Sequence, residues 1–310
     1  MESLLLKRPL LDPVAMSMSL SRLNKIQSMA VIAVSVLSAS LQCWAQPNGA
    51  ANELFSDSAP AGASGSPQAA WPFAIQSVES ADGLGGKVEA LSDFPFATVK
   101  EMLDNPEKWC EVMLLHLNNQ SCQVDAQDQV PRIHLQIMRK GGRVSERTYP
   151  LQLEWTLRES ARDRFEVALT AAEGPLGTRD YRISLVARPA GKDQTMIGLS
   201  YSSKLTPSAH LALRAYLGTV AAKKFGFTQL PAADGKRRFI SGMRGLAERT
   251  AVRYYLAVEA SLQASRELPA FRTQKRFELW FDSTEQYRLQ LHEIDRDVYL
   301  ASRNGQRAIR

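Results

Sequence analysis

The residues able to do chemistry gather in two stretches. In the first, Cys110 and Cys122 bracket His116, which lies in the apolar run Val112–Leu117 followed by the turn-prone pair Asn118-Asn119. His116 there is a candidate buried general base, although a core histidine bonded to a backbone carbonyl fits the same pattern. The second stretch, Ile240–Ala264, carries Glu248, Arg249, Arg253, Tyr254 and Tyr255. Glu248 lies between Leu246 and Ala251, at the edge of an apolar stripe. From that edge it could orient the polar head of a ligand, or pair with Arg244 one turn earlier for ~0.2–0.5 kcal/mol. Arg253 has no acidic residue three or four positions away on its own helix, and Arg249 stands one turn before it. One of these two arginines is therefore expected to find a carboxylate on a sheet, or a ligand anion. Trp155, Tyr201, Tyr254 and Tyr255 sit on inward phases of their elements; in a filled core they pack, and in an open cavity they become walls with hydroxyl or indole handles.

The ligand-binding set expected from these residues is Trp155, Tyr201, Glu248, Arg253 and Tyr254. No catalytic residue, metal ligand or cofactor is assigned. There is no Gly-x-Ser-x-Gly, no Gly-rich phosphate loop and no His-Glu-x-x-His, and the carboxylates form no recognisable pair. His134 is out of phase with Ile133 and Leu135 and is expected to face water.

Two kinds of element must position these groups. In Ile240–Ala264, Met243, Leu246, Ala247, Thr250, Ala251, Tyr254, Ala257, Val258 and Leu262 recur every three or four residues, the pattern of a helix of about six to seven turns. Arg244, Arg249, Arg253, Glu259 and Gln263 mostly fall on its other face. Ser241 and Gly242 can open it, and Pro269 limits its extent. The hundred residues before it alternate with a period of two: Ile133, Leu135, Ile137; Leu151, Leu153, Trp155, Leu157; Phe165, Val167, Leu169; Tyr181, Ile183, Leu185; Ile197, Leu199, Tyr201. Turn chemistry at Lys140-Gly141-Gly142, Ser160–Asp163, Gly174–Gly177 and Pro189–Asp193 separates these runs into an antiparallel meander. An earlier strand pair is expected at Ala74–Ser80 and Lys87–Leu91, then a short helix at Ala97–Leu103 and a helical turn carrying Trp109 and Cys110. Thr206-Pro207 opens a helix expected to run to Phe225 with Gly226 as its left-handed stop, and a last hairpin is expected across Ala232–Gly235. After Pro269 comes a helical tail whose Tyr287, Leu291, Ile294 and Val298 form an apolar stripe that must dock on something.

The N-terminus stands apart. Arg22 and Lys25 precede the apolar run Met29–Leu41, which is too short for a membrane span and ends near Ala45. Residues 1–45 are expected to be a cleaved signal peptide, with the protein periplasmic or secreted; an anchor retained at residues 29–41 is the alternative. A lipoprotein signal is disfavoured because Gln42 precedes Cys43. Residues 46–72 have the Ala, Gly, Ser and Pro composition of a disordered linker. The full chain carries a formal charge of +6, and loss of residues 1–45 leaves +4. That scattered excess has no stripe of cations interleaved with aromatics and does not favour nucleic acid. Cys110 and Cys122 remain as an even pair in an export-bound chain, which favours a disulfide over two free thiols or a metal pair.

A strand pair, two short helices, a curled meander and one long helix form the order of a helix-grip fold. In Phe94-Pro95-Phe96, Trp109-Cys110, His116-Leu117-Asn118, Cys122, Gly245, Glu248-Arg249, Arg253-Tyr254-Tyr255-Leu256 and Trp280-Phe281-Asp282 the chain resembles the START and polyketide-cyclase-like superfamily, and more closely a group of exported bacterial START-like proteins. The tail beyond Pro269 departs from members in which the long helix closes the chain. The resemblance implies an α+β domain over residues 73–268, its curved antiparallel sheet wrapped around the long helix, with residues 269–310 as an added tail. It implies binding of an apolar small molecule or lipid between sheet and helix, leaves membrane contact open, and transfers no catalytic set. A cyclase- or aromatase-like enzyme using His116, Glu248 or a tyrosine is the first alternative, and an envelope module binding a protein partner through its outer helices is the second.

Overall fold

The computed structural model describes residues 71–127, 129–138 and 148–307. The signal peptide, the anchor alternative, nearly all of the linker and the turn Lys140–Gly142 lie outside the described residues. Strands β1 (Phe73–Glu79) and β2 (Gly83–Ser92) lead into helices α1 (Phe96–Leu103) and α2 (Pro106–Met113). Six strands follow: β3 (Asn119–Asp125), β4 (Arg132–Met138), β5 (Thr148–Ser160), β6 (Phe165–Glu173), β7 (Thr178–Pro189) and β8 (Thr195–Leu205). Then come α3 (Pro207–Gly218), the small hairpin β9 (Gln229–Pro231) and β10 (Arg237–Phe239), α4 (Gly242–Ala264), α5 (Pro269–Glu285), α6 (Arg288–Leu291) and α7 (Arg296–Arg307).

The first eight strands form one antiparallel sheet in the order β1-β2-β8-β7-β6-β5-β4-β3, an open curved sheet in an α+β arrangement with α4 packed on its inner face. The alternation read from the sequence decides which face is which. Along β5, Leu151, Leu153 and Trp155 are buried while Gln152, Glu154 and Thr156 are exposed, and β6, β7 and β8 repeat this in register. Helix α4 lies mainly over β1 and β2, very close to β2 at Gly86. A Cβ added at Gly86 would stand 2.5 Å from the carbonyl oxygen of Ala247, so only glycine permits this approach.

Four expectations change. Strand β3 starts at Asn119, where a turn was expected; the asparagine donates its side-chain N–H to Met113 O at 2.8 Å, and β3 is held by pairing with β4 at Cys122↔Leu135. Helix α3 has the expected cap, with Thr206 Oγ1 accepting from Ala209 N, but it ends at Gly218 rather than Phe225. Gly226 does not take the left-handed conformation; it is small because a Cβ there would lie 2.5 Å from Glu248 Oε2 and 2.8 Å from Ile240 Cγ2. Last, the tail is not one helix. The break at residues 292–295 shifts its helical phase, so Val298 is exposed, while Tyr299 turns inward and donates to Leu115 O at 2.8 Å.

The tail also explains why α4 departs from a two-faced helix. Helix α5 packs along α4 on the side away from the sheet, with Trp280 Nε1 donating to Arg253 O at 3.2 Å. Part of the polar flank of α4 is thereby covered: Arg249 and Arg253 are buried, while Gln263 stays exposed. The Cys110–Cys122 disulfide, with Cα atoms 5.6 Å apart, ties α2 to β3. Trp71, Phe73, Phe227 and Tyr287 pack edge to face where β1 begins, and Trp71 Nε1 donates to Phe227 O at 3.2 Å.

Candidate functional site

On the inner face, Trp155, Leu169, Ile183 and Tyr201 are cross-strand neighbours in one row over β5, β6, β7 and β8. Three strand spacings of about 4.8 Å separate the tryptophan from Tyr201 along the sheet, roughly 14 Å. Tyr181 lies on the same face of β7, and its hydroxyl is 2.9 Å from that of Tyr254 on α4. The Tyr201 ring meets Tyr181 edge to face at 5.3 Å, and its hydroxyl is 3.2 Å from Ser203 Oγ. His116, just beyond α2, lies 5.4 Å from the Tyr254 ring. Sheet, long helix and the segment after α2 thus each contribute a polar ring to one otherwise apolar interior.

The tryptophan and tyrosine rings belong to the buried core and keep little exposed surface. Trp155, Tyr181 and Tyr201 each keep 9 % of their surface accessible, Tyr254 keeps 6 %, and His116 keeps more. Yet His116 is deep: loss of hydration, then the charges of Arg253 and Arg303, bring its imidazole from 6.5 down to about 3. Burial also raises the Tyr181, Tyr201 and Tyr254 hydroxyls above their ordinary range, so all four rings are neutral at physiological pH. The Trp155 indole N–H is buried without a hydrogen-bond partner among the described residues. An orphan donor of this kind costs about 1–3 kcal/mol unless something accepts from it.

Two members of the expected set do different work. Glu248 is wholly buried and accepts from Ser77 Oγ (2.7 Å), Thr228 Oγ1 (2.7 Å), Phe227 N (2.6 Å) and Thr228 N (2.9 Å). Its oxygens are taken by protein donors, which corrects its expected role toward a ligand. Nor does it pair with Arg244, whose Nε donates to Ser77 Oγ at 3.2 Å. Arg253 does find a carboxylate, but on the tail rather than the sheet: Glu293 Oε1 at 2.7 Å, supported by Leu291 O at 3.2 Å. Its guanidinium is therefore committed to holding the segment after α6 against α4. Arg249 is buried with Nη1 unpartnered among the described residues; desolvation first and the Arg253 charge second bring it from 12.5 to about 10. Trp155, Tyr201 and Tyr254 point into the interior, joined by Tyr181, whose inward phase was legible but whose partner on α4 was not.

Two concavities lie away from this row. One, of about 370 Å³, is lined by Leu91, Phe94, Glu259, Gln263, Arg266 and Leu279 near the C-terminal end of α4. Burial raises the Glu259 carboxyl there, and its Oε1 lacks a hydrogen-bond partner by distance and angle, although Ser92 and Tyr255 stand close enough to influence it. The other, of about 130 Å³, opens on the outer face of the sheet. Among the described residues no group of three or more His, Cys, Asp or Glu is placed to hold a metal ion, and no helix is long and apolar enough to cross a membrane.

No family model and no curated protein matches the chain. In structure it is similar to norcoclaurine synthase from Thalictrum flavum in complex with dopamine and hydroxybenzaldehyde, at 14 % identity over 49 % of this chain and 83 % of that one, with a TM-score of 0.32. It is similar to the Zhui aromatase/cyclase from Streptomyces sp. R1128, at 13 % identity over 48 % and 88 %, with a TM-score of 0.31. A START superfamily protein from Mycobacterium smegmatis aligns at 10 % identity over 40 % and 78 %, with a TM-score of 0.29. At these levels the likeness is one of fold alone.

Proposed function

We propose that this chain is a binding domain for an uncharged, mainly apolar small molecule, a neutral lipid being the class that fits best. The ligand lies between the inner face of the sheet and α4. The observation that carries this is the buried, unpartnered Trp155 N–H on an apolar row whose other polar groups are neutral hydroxyls and a neutral imidazole. A carbonyl or ether oxygen would satisfy that donor, and the surrounding leucine, isoleucine and tyrosine surfaces would gain about 25 cal/mol for each Å² of apolar area removed from water. An ion would have to shed its hydration among neutral rings, at a cost of several kcal/mol.

The same environment disfavours acid–base chemistry in this interior. A general base works best when its pKa lies near the operating pH, and His116 lies far below it. Glu248 is occupied by four donors. Export through cleavage near Ala45 belongs to the same proposal, since an apolar cargo and a disulfide both suit an oxidising aqueous compartment.

Native mass spectrometry of the protein purified from its own host tests the central claim. Adduct mass that survives gentle ionisation, and extracts into organic solvent as a neutral species, supports it. Protein that runs as the bare polypeptide and takes up no neutral lipid from mixed micelles refutes it. N-terminal sequencing of the same sample tests cleavage.

A further inference from the structure

We infer that the outer face of the sheet carries an anion site that takes a phosphate group borne on a small soluble molecule. The site follows from the same alternation that builds the interior. Tyr181, Ile183 and Leu185 of β7 point inward, so Arg182 and Ser184 point outward; on β8, Ile197, Leu199 and Tyr201 point inward, so Gly198, Ser200 and Ser202 point outward. Ser184 pairs with Ser200 across the ladder, their hydroxyls 2.8 Å apart, and Ala168 of β6 lies beyond Ser184. Short side chains thus occupy the centre of the face, and long ones from β2, β5 and both ends of β7 stand around them. A hollow of about 130 Å³ results.

The hollow is lined by five basic side chains and two acidic ones. Both carboxylates are engaged. Glu89 pairs with Lys87 at 3.2 Å, while Glu166 takes Arg164 at 2.6 Å and Arg158 at 3.9 Å. Arg164 is further held by Glu159 at 2.6 Å. Arg182 and Arg188 make no salt bridge among the described residues. Arg182 is partly buried beside Arg158, and both desolvation and that neighbouring charge lower its pKa, with Asp180 and Glu166 only partly offsetting them. Arg182, beside Arg158 and across the ladder from Ser202, with the Ser184 and Ser200 hydroxyls next along the same face, is complementary to a phosphate, which accepts bidentate bonds from arginine and further bonds from serine. A flat lipid surface fits less well, because the donors lie recessed behind the rim.

Inorganic phosphate and glycerol 3-phosphate are the probes, titrated by NMR against a chloride control of equal ionic strength. Saturable shifts at the Ser184, Ser200 and Arg182 amides are expected with either probe. Arg182→Gln should weaken binding at least about tenfold, and so should Arg158→Gln, whose partly exposed side chain leaves folding untouched. Arg214→Gln, on α3 and paired with Glu79, should change nothing. Shifts that merely follow ionic strength, or equal affinity in both groove variants, overturn the proposal. So does binding seen only with phosphatidylglycerol vesicles and not with the soluble phosphates, which would make the face a membrane contact. Neutral-lipid uptake by the interior is read separately and does not depend on this result.

Discussion

Replacing Glu248 by alanine takes one acceptor from four donors at once. The Phe227 and Thr228 amides, at 2.6 and 2.9 Å from Oε2, belong to the irregular segment leading into β9 and have no other acceptor in the bonds described. The Ser77 and Thr228 hydroxyls can rotate, but the amides cannot. Two amides left without partners, at about 1–3 kcal/mol each, together with the loss of a charge-assisted bond to Ser77, bring the expected cost to about 3–5 kcal/mol. For a domain of this size that is roughly 6–20 °C in Tm. Glu248→Gln is the discriminating partner. Its carbonyl can face the two amides while its NH2 donates to the two hydroxyls, which can accept, so it should cost only about 1–2 kcal/mol. Urea unfolding of the three proteins gives the energies, and hydrogen exchange at Phe227 and Thr228 locates them. A Glu248→Ala protein within about 1 kcal/mol of wild type would refute the latch. A glutamine variant as damaged as the alanine would show that charge, not donor satisfaction, holds the segment.

Because folding lowers the His116 pKa from 6.5 to about 3, the unfolded chain binds a proton the native state refuses. The associated stability is fully present above pH 6.5 and is lost as pH falls toward 3, at up to about 1.4 kcal/mol per pH unit. His116→Phe should remove that increment of acid sensitivity, and identical pH profiles for the two proteins would contradict it. Reducing the Cys110–Cys122 bridge, which spans 12 residues, should cost about 3 kcal/mol; unfolding midpoints unchanged by reductant would argue otherwise. Trp155→Phe should leave the empty domain as stable as wild type or more so, since it deletes an orphan donor, while weakening retention of the co-purified molecule several-fold; unchanged retention would detach the indole N–H from ligand binding.

Much of the inner row was legible before any coordinates. Trp155 and Tyr201 share the phase of leucines and isoleucines on their strands, and Tyr254 shares the apolar stripe of its helix. The roles of Glu248 and Arg253 were not legible, because their partners lie elsewhere in the chain. Ser77 is 171 residues from Glu248, and Glu293 is 40 residues from Arg253. The tail was underestimated for a related reason. A helix judged by its own sequence shows an apolar and a polar flank, and nothing local says that α5 will cover part of the second. The anion hollow needs neighbours from three or more strands, and its serines carry no signal along any one of them.

The amino-acid order by itself determined the local periods: two along the meander, between three and four along α4, with the turns and caps that separate them. Those periods sort side chains into faces, because the backbone repeat of each element is set by short-range sterics and hydrogen bonding. Tertiary structure alone decided which buried polar atoms are satisfied and which stay open. That distinction separates Glu248, locked by four donors, from the Trp155 indole N–H, which meets no acceptor among the described residues, and it depends on distances between segments that the chain places far apart.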